Sequence, residues 1–468
     1  MKSISLRAIS AILTLGAGAM ILSSVSLLLL TGLLQQTYQT SPYVPIWALV
    51  VGNAAFAAFV PAGPHFRVHY GLRRTVLGGT VMIAIGSLTS AFAPLFGLFL
   101  VGRLLQGAGA GLLLVALIPQ IFRLMAAERR MWIAAILLGG LFGAFSLGPI
   151  AGGLSLVINT WRPLFGFAAG LAVAAGVIAY GAIPREPAPS PAPPVPWRGI
   201  LWWLGTVAGL AVAVGNLRQF GPFSLAVWPA LLVAAFCGIQ VLLPSATPPW
   251  IELRQMASAK PLLGTAMASS ALVALILCIG PIHSEIAKVL QIHASTMTEQ
   301  LLFVPAGVAV AAVWVSLAYD RLGPGRLGAI GMAAIVACAL ALHSMGMRTS
   351  SGELELVLFA SAWGVGTTFA AGMLGAALGG PRETLPQRMT TVQGVRLLVF
   401  ALLAPGYAWI HHSFIRAALH TTSRSPVARL YAVHHLAWMT LGVALFTGGL
   451  AYMMTRTGPH AVLGTRHY

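Results

Sequence analysis

The sequence predicts an all-α integral membrane fold of fourteen membrane-crossing helices. Three observations carry that reading. Of 468 residues, 58% are hydrophobic and only 8% charged, against about 25% charged in soluble domains, so too few polar groups exist to cover a water-facing surface. Fourteen apolar runs recur, each near the roughly 20 residues a helix needs to cross the hydrocarbon core. Finally, the Lys and Arg residues alternate between rich and poor loops along the chain, as membrane topology demands.

The runs lie near 8–34, 44–63, 75–94, 96–120, 131–156, 163–183, 199–217, 223–243, 261–283, 300–319, 327–347, 354–378, 391–412 and 433–455. The first follows Lys2 and Arg7 and is far longer than the apolar core of a signal peptide, about 7–15 residues. The seventh is the weakest, cut short by Asn216 and Arg218. Residues 184–196, PREPAPSPAPPVP, form an extended, polyproline-like spacer after six helices. A shorter Pro-containing break at 244–249 sets helices seven and eight apart. The expected organisation is 6+2+6: a six-helix half at 1–183, a Pro-rich linker at 184–198, an inserted pair at 199–260, a second six-helix half at 261–455 and a tail at 456–468.

The formal charge of +18 comes from 27 Lys and Arg against 9 Asp and Glu. A soluble protein so basic would suggest nucleic acid, but here the basic residues stand singly in short loops. With fourteen spans, one set of alternate loops holds 18 of them and the other 7. The rich side is then cytoplasmic, which puts both termini there and the chain in the cell inner membrane. Cys237, Cys278 and Cys338 fall within apolar runs, an odd count without metal or disulfide spacing. No nucleophile constellation, phosphate loop or zinc-ligand set is present, so no enzyme activity and no cofactor are expected. Gly107-Ala108-Gly109-Ala110-Gly111 follows no strand and falls in helix four, so dinucleotide binding is not implied.

Two residue patterns point to mechanism. Helix five carries Gly143-Ala144-Phe145-Ser146-Leu147-Gly148-Pro149-Ile150-Ala151-Gly152-Gly153; proline kinks a membrane helix and glycines admit close neighbours. Arg103 lies well inside helix four, where a charge is costly and functional by default. Gln106 follows one turn later on the same face. Two basic, Gly-containing turns close equivalent helices: Tyr70-Gly71-Leu72-Arg73-Arg74 and Asp320-Arg321-Leu322-Gly323-Pro324-Gly325-Arg326.

With these residues in view, the sequence resembles the major facilitator superfamily, in particular its fourteen-helix drug:proton antiporter family. Gly148, Pro149, Gly152 and Gly153 match the helix-five antiporter motif GPxxGG. Arg103 to Gly107 matches the helix-four RxxQG motif, and Trp161, Arg162 and Phe165 match the WRxxF run opening helix six. Asp320, Arg321 and Gly323 match the cytoplasmic DRxG loop of the second half, and Leu302 to Gly307 with Pro305 the start of helix ten. The resemblance implies that Arg103 faces a central cavity and handles protons or substrate. It gives Arg396 at the start of helix thirteen a similar role, and it makes Gly71, Arg73, Arg74, Asp320, Arg321 and Gly323 a cytoplasmic gate.

The chain departs from that family where acids are concerned. Pro64 and Val68 replace the first Gly and the Asp of the first cytoplasmic loop. Helix one reads Leu22-Ser23-Ser24-Val25 where the family carries an acid, and helices one to six hold no Asp or Glu. The carboxylates nearest a cavity are Glu285 and Glu299, which flank the loop between helices nine and ten; they are the candidates for proton handling, against the reading of solvated outer-surface residues. His283 lies near them and has a side chain that titrates near neutral pH; His411 and His412 end helix thirteen on the same side, where a helix-end histidine reads as an interfacial anchor rather than a proton carrier. Trp363, Phe369 and Met373 of helix twelve read as packing residues. The expected function is proton-coupled efflux of small lipophilic, neutral or weakly acidic compounds by a monomer. Its partners would be substrate, protons and the bilayer, with no nucleic acid. An uptake carrier or uncoupled facilitator, and a non-transporting receptor or scaffold, are the alternatives.

Overall fold

A computed structural model describes residues 4–123, 130–185, 197–243, 258–278, 282–381, 384–421 and 425–460. Its elements are helical throughout: α1 (Leu6–Tyr38), a 3₁₀ turn (Val44–Ile46) leading into α2 (Trp47–Phe59), α3 (Ala62–Tyr70), α4 (Leu72–Phe92), α5 (Phe96–Arg123), α6 (Arg130–Val157) and α7 (Arg162–Ala182). After the Pro-rich stretch, of which residues 186–196 lie outside the described residues, come α8 (Trp197–Phe220) and α9 (Trp228–Leu242). The chain ends with α10 (Ala259–Leu277), α11 (His283–Val289), α12 (Ala294–Gln300), α13 (Phe303–Ser344), α14 (Ser351–Leu378), α15 (Leu385–Thr421) and α16 (Ser425–Thr455).

Among the described residues, nine helices are long and apolar enough to cross a bilayer, or ten if α2 and α3, bent by 53°, form one span. This is fewer than the fourteen runs of the sequence. Trp228–Leu242 is short, only the Gly143–Val157 part of α6 is described with its side chains, and α13 counts as one 42-residue element. Yet α13 is not straight. Gly323 sits at φ 72°, ψ 170°, a backbone conformation open mainly to glycine, and Pro324 restarts the helix with φ already fixed. Expected runs ten and eleven are therefore two helical segments joined at Gly323. Gly71 (φ 83°) performs the same turn between α3 and α4.

Helix ends follow their capping chemistry. Ser5 Oγ accepts from the Ala8 N–H at 3.2 Å. Ser350 and Glu353 form a reciprocal capping box at the start of α14.

Packing relies on small residues, because lipid gives helices no hydrophobic reason to associate. Gly86 and Gly102 bring α4 onto α5, Gly331 and Gly364 bring α13 onto α14, and Gly264 and Gly372 bring α10 onto α14. Gly107 and Gly111 seat α5 on α2, and Gly109 seats it on α4, so this glycine run serves packing. Outward faces stay apolar, as at Ile85, Leu232 and Phe236, which suits contact with lipid tails. Helix α1 packs on α6 and α7, and α13 packs on α14 and α16. Contacts between the early and late helices run through α6 with α12 and α13, and through α2 with α15. Helix α8 touches both α2 and α15.

Candidate transport site

Arg103 and Gln106 are both wholly buried on α5. The Arg103 guanidinium donates through Nε to the Ala48 carbonyl (3.2 Å) and through Nη1 to Ser23 Oγ (3.0 Å) and Gln106 Oε1 (2.5 Å). Nη2 donates to Ser24 Oγ (2.6 Å). Gln106 passes the polarity on, its Nε2 donating to Ser87 Oγ (2.6 Å), which in turn donates to the Ile83 carbonyl (2.7 Å). Gly52 leaves the necessary space, since a Cβ there would lie 2.6 Å from Nη2.

Every acceptor around Arg103 is neutral. The two helix-one serines that stand where the resembled family carries an acid are the residues that hold the guanidinium. Because arginine does not give up its proton in proteins, this is a fixed, buried cation with no carboxylate partner among the described residues. Sequence reasoning singled out Arg103 and Gln106 but not Ser87 or Ala48. The signal available was Ser23-Ser24 itself, two hydroxyls in the middle of an apolar helix.

The GPxxGG run packs on α1 and reaches across to α12. Ser26 Oγ on α1 donates to the Gly148 carbonyl (2.7 Å) and the Leu22 carbonyl (2.8 Å). Gly148 lies against Val25, and Gly152 against the Ser26 backbone. Pro149 lies inside α6. A Cβ on Gly153 would collide with the Thr298 hydroxyl of α12, so this glycine permits a contact between the early and late parts of the chain. Nearby, the Phe145 and Phe400 rings meet edge to face at 6.0 Å, joining α6 to α15.

The WRxxF run turns out to fasten helix ends. Arg162 donates to the carbonyls of Ala91 (2.6 Å) and Ala93 (3.2 Å) at the end of α4, where orphan carbonyls need donors. Trp161 Nε1 donates to Thr37 Oγ1 (3.1 Å), and its ring packs with Tyr38, Phe99 and Phe165.

Arg396 of α15 is partly buried, donates to Gln393 Oε1 (2.9 Å) and lies over the Phe369 ring at 5.5 Å. Arg388, which sequence reasoning passed over, is buried and donates to the carbonyls of Ala377, Gly380 and Pro381 at the end of α14.

Glu285 corrects an expectation. It is not a solvated loop residue but 2% exposed, held by Lys288 Nζ at 2.7 Å and Arg429 Nη1 at 2.5 Å, with His411 Nε2 at 4.0 Å. Burial alone would raise its pKa, but the two cations outweigh burial and hold the carboxyl below its ordinary value. His283 is also buried. Its Nε2 pairs with Gln300 Oε1 (2.9 Å), whose Nε2 donates to Ser351 Oγ (2.8 Å). Lys288 is a near neighbour in sequence, but Arg429 lies 144 residues away, and only the packing of α11 on α16 buries Glu285 beside it. Glu299 is exposed and joins neither cluster, and the His412 side chain lies outside the described residues.

The gate residues are found in separate surroundings. Arg73 lies over the Tyr180 ring of α7 at 4.4 Å. The Asp320 carbonyl faces His460 (3.2 Å) in the C-terminal tail, and Arg321 and Gly323 line a cavity beside that tail. Arg74 is exposed on the first turn of α4.

The family described as Major Facilitator Superfamily matches residues 9–408. An uncharacterized MFS-type transporter of Bacillus subtilis, YubD, is 31% identical over 396 residues, covering 84% of this chain and 78% of that protein. The drug efflux pump JefA of Mycobacterium tuberculosis is 25% identical over 67% of this chain and 62% of its own length. The crystal structure of the human organic anion transporter MFSD10 superposes with a TM-score of 0.61 over 96% of this chain and all of that one. At 16% identity, that is a likeness of fold.

Proposed function

The chain belongs to the Major Facilitator Superfamily, and from that premise we propose that this transporter exports small lipophilic compounds, neutral or weakly acidic, by proton antiport. The observation that carries the substrate class is Arg103: a buried cation whose acceptors are all neutral favours an anionic or neutral guest and penalises a permanent cation. Efflux is supported by the likeness to JefA and by the GPxxGG helix. The reading includes fourteen spans arranged 6+2+6. The break at Gly323 supports dividing α13 into two spans, and the lengths of α6 and α15, 28 and 37 residues, support one span each. Rocking of the halves around Arg103 would involve the α6–α12 contact at Gly153, and the protein would act as a monomer in the inner membrane.

The test is transport in inside-out vesicles under an imposed pH gradient, screening cations, neutral compounds and organic anions. Uptake of weak acids or neutral compounds that collapses with the gradient is the expected result. Uptake of permanent cations alone would overturn the substrate class, and uptake indifferent to the gradient would overturn antiport. One observation favours a second reading, an uncoupled facilitator: among the described residues no titratable acid touches Arg103, so the arginine has no local carboxylate there to exchange a proton with.

A further inference from the structure

Where α10 begins and α14 and α16 finish, a cavity of about 200 Å³ opens beside the C-terminal tail. It is several times the roughly 30 Å³ that one water occupies in the liquid. Lys260, Arg321, Arg326 and His460 line it, and among the described residues no Asp or Glu does. The tail is fastened over this place. Lys260 Nζ donates to the Pro459 carbonyl (2.6 Å), and His460 lies against the Asp320 carbonyl and edge-on to the Tyr319 ring at 5.8 Å. Gly323 at the break in α13 is part of the construction, because a Cβ there would stand 2.6 Å from His460 Nδ1.

The charges are the informative part. Arg321 and Arg326 are exposed, and neither is engaged by a hydrogen bond or ion pair among the described residues. Lys260 spends one of its three donors on Pro459. Three permanent cations thus line one small cavity whose described lining holds no acidic side chain, and the first turn of the restarted α13 helix, at Gly325 and Arg326, borders it. Arginine forks match phosphate oxygens in geometry as well as charge.

We propose that this cavity binds a phosphate-bearing anion, whose occupancy ties α10, the break in α13 and the tail after α16 into one unit. The phosphate can come from an anionic lipid headgroup at the membrane surface or from a soluble phosphate compound. The site lies apart from Arg103 and does not depend on what is transported.

The test uses the full chain purified into phosphatidylcholine nanodiscs, with thermal unfolding as the readout. One arm titrates inorganic phosphate at constant ionic strength. The other replaces part of the lipid with phosphatidylglycerol. A rise in unfolding temperature in the lipid arm alone assigns the site to a headgroup, and a saturable rise with phosphate assigns it to a soluble anion. In either case Arg326→Gln and Lys260→Gln should each weaken the effect about tenfold, the size of one lost charge-assisted hydrogen bond. Arg326→Lys should keep part of it. Arg198→Gln, at an exposed basic residue on α8, should change nothing. No rise in either arm overturns the site. So does a rise that Arg326→Gln and Lys260→Gln leave intact, or one that Arg198→Gln reduces equally.

Discussion

Arg103 is held by four hydrogen bonds, none of them to an acid. Burying a charge costs several kcal/mol even after relaxation, and hydrogen bonds to a charged group return about 1.5–3 kcal/mol each. The arrangement can therefore hold the cation without neutralising it. Arg103→Ala should abolish transport per molecule of protein, while Arg103→Lys should retain a fraction, since lysine offers a point charge without the fork. Rates in vesicles, normalised to protein amount, check this, and an alanine variant that transports normally would make the arginine a packing residue. Ser24→Asp places a carboxylate where a hydroxyl now accepts at 2.6 Å, and should reduce anion transport at least tenfold while admitting cations. Glu285 gives a pH prediction. Its carboxyl titrates below the ordinary 4.5 in the folded protein, so the stability it contributes is fully present above the unfolded pKa. That stability is lost as pH falls through the lower folded value. Unfolding temperature in detergent should be flat from neutral pH to about 5 and fall in more acid solution. Glu285→Gln should flatten that acid limb, and an unchanged limb would remove Glu285 from the account.

At the scale of the helix, α6 shows what a sequence pattern can and cannot convey. The spacing of Gly148, Pro149, Gly152 and Gly153 marks a bent helix with close neighbours, and Gly148 and Gly152 do meet α1 at Val25 and Ser26. That Gly153 meets Thr298 is not written in the run, because the partner lies on a short helix about 145 residues later that has no apolar signature. The same limit explains Glu285 and Arg429: each is an ordinary charged residue in sequence, and only the packing of α11 against α16 makes them a pair. By contrast Arg103 was legible at once, as a charge in an apolar run has few innocent explanations. Pro149→Ala should straighten α6 and stop transport at near-normal membrane abundance; loss of the protein itself would mean the proline serves folding alone. Gly153→Ala should slow transport by crowding the Thr298 hydroxyl, and Thr298→Ala should recover part of the rate. A double variant no better than Gly153→Ala would detach this contact from the cycle.

At the scale of the molecule, charge decides orientation. Under the fourteen-span reading, the loops on one side hold 18 Lys and Arg and those on the other hold 7. The bias acts through residues close to the helix ends, because short basic loops resist translocation. The critical elements are α8 and α9. Helix α9 has only 15 residues, about 22 Å at the helical rise, against a hydrocarbon core of about 30 Å. If it failed to cross, every later loop would change sides. Lys260, Arg321, Arg326, Arg388 and Arg456 would then face outward, against the bias. Helix α8 also packs on α2 and α15, with Trp203 donating to the Ala57 carbonyl at 3.3 Å, which supports α8 as a true membrane element. Reporter tags at the N-terminus, within residues 184–196, within residues 244–257 and at the C-terminus should therefore all report the cytoplasm. A tag between α11 and α12 should report the outside, where the Glu285 cluster would meet the external pH. A cytoplasmic signal at 184–196 with an external one at 244–257 would show that α8 and α9 together cross once, and would reverse the orientation of every helix from α10 onward.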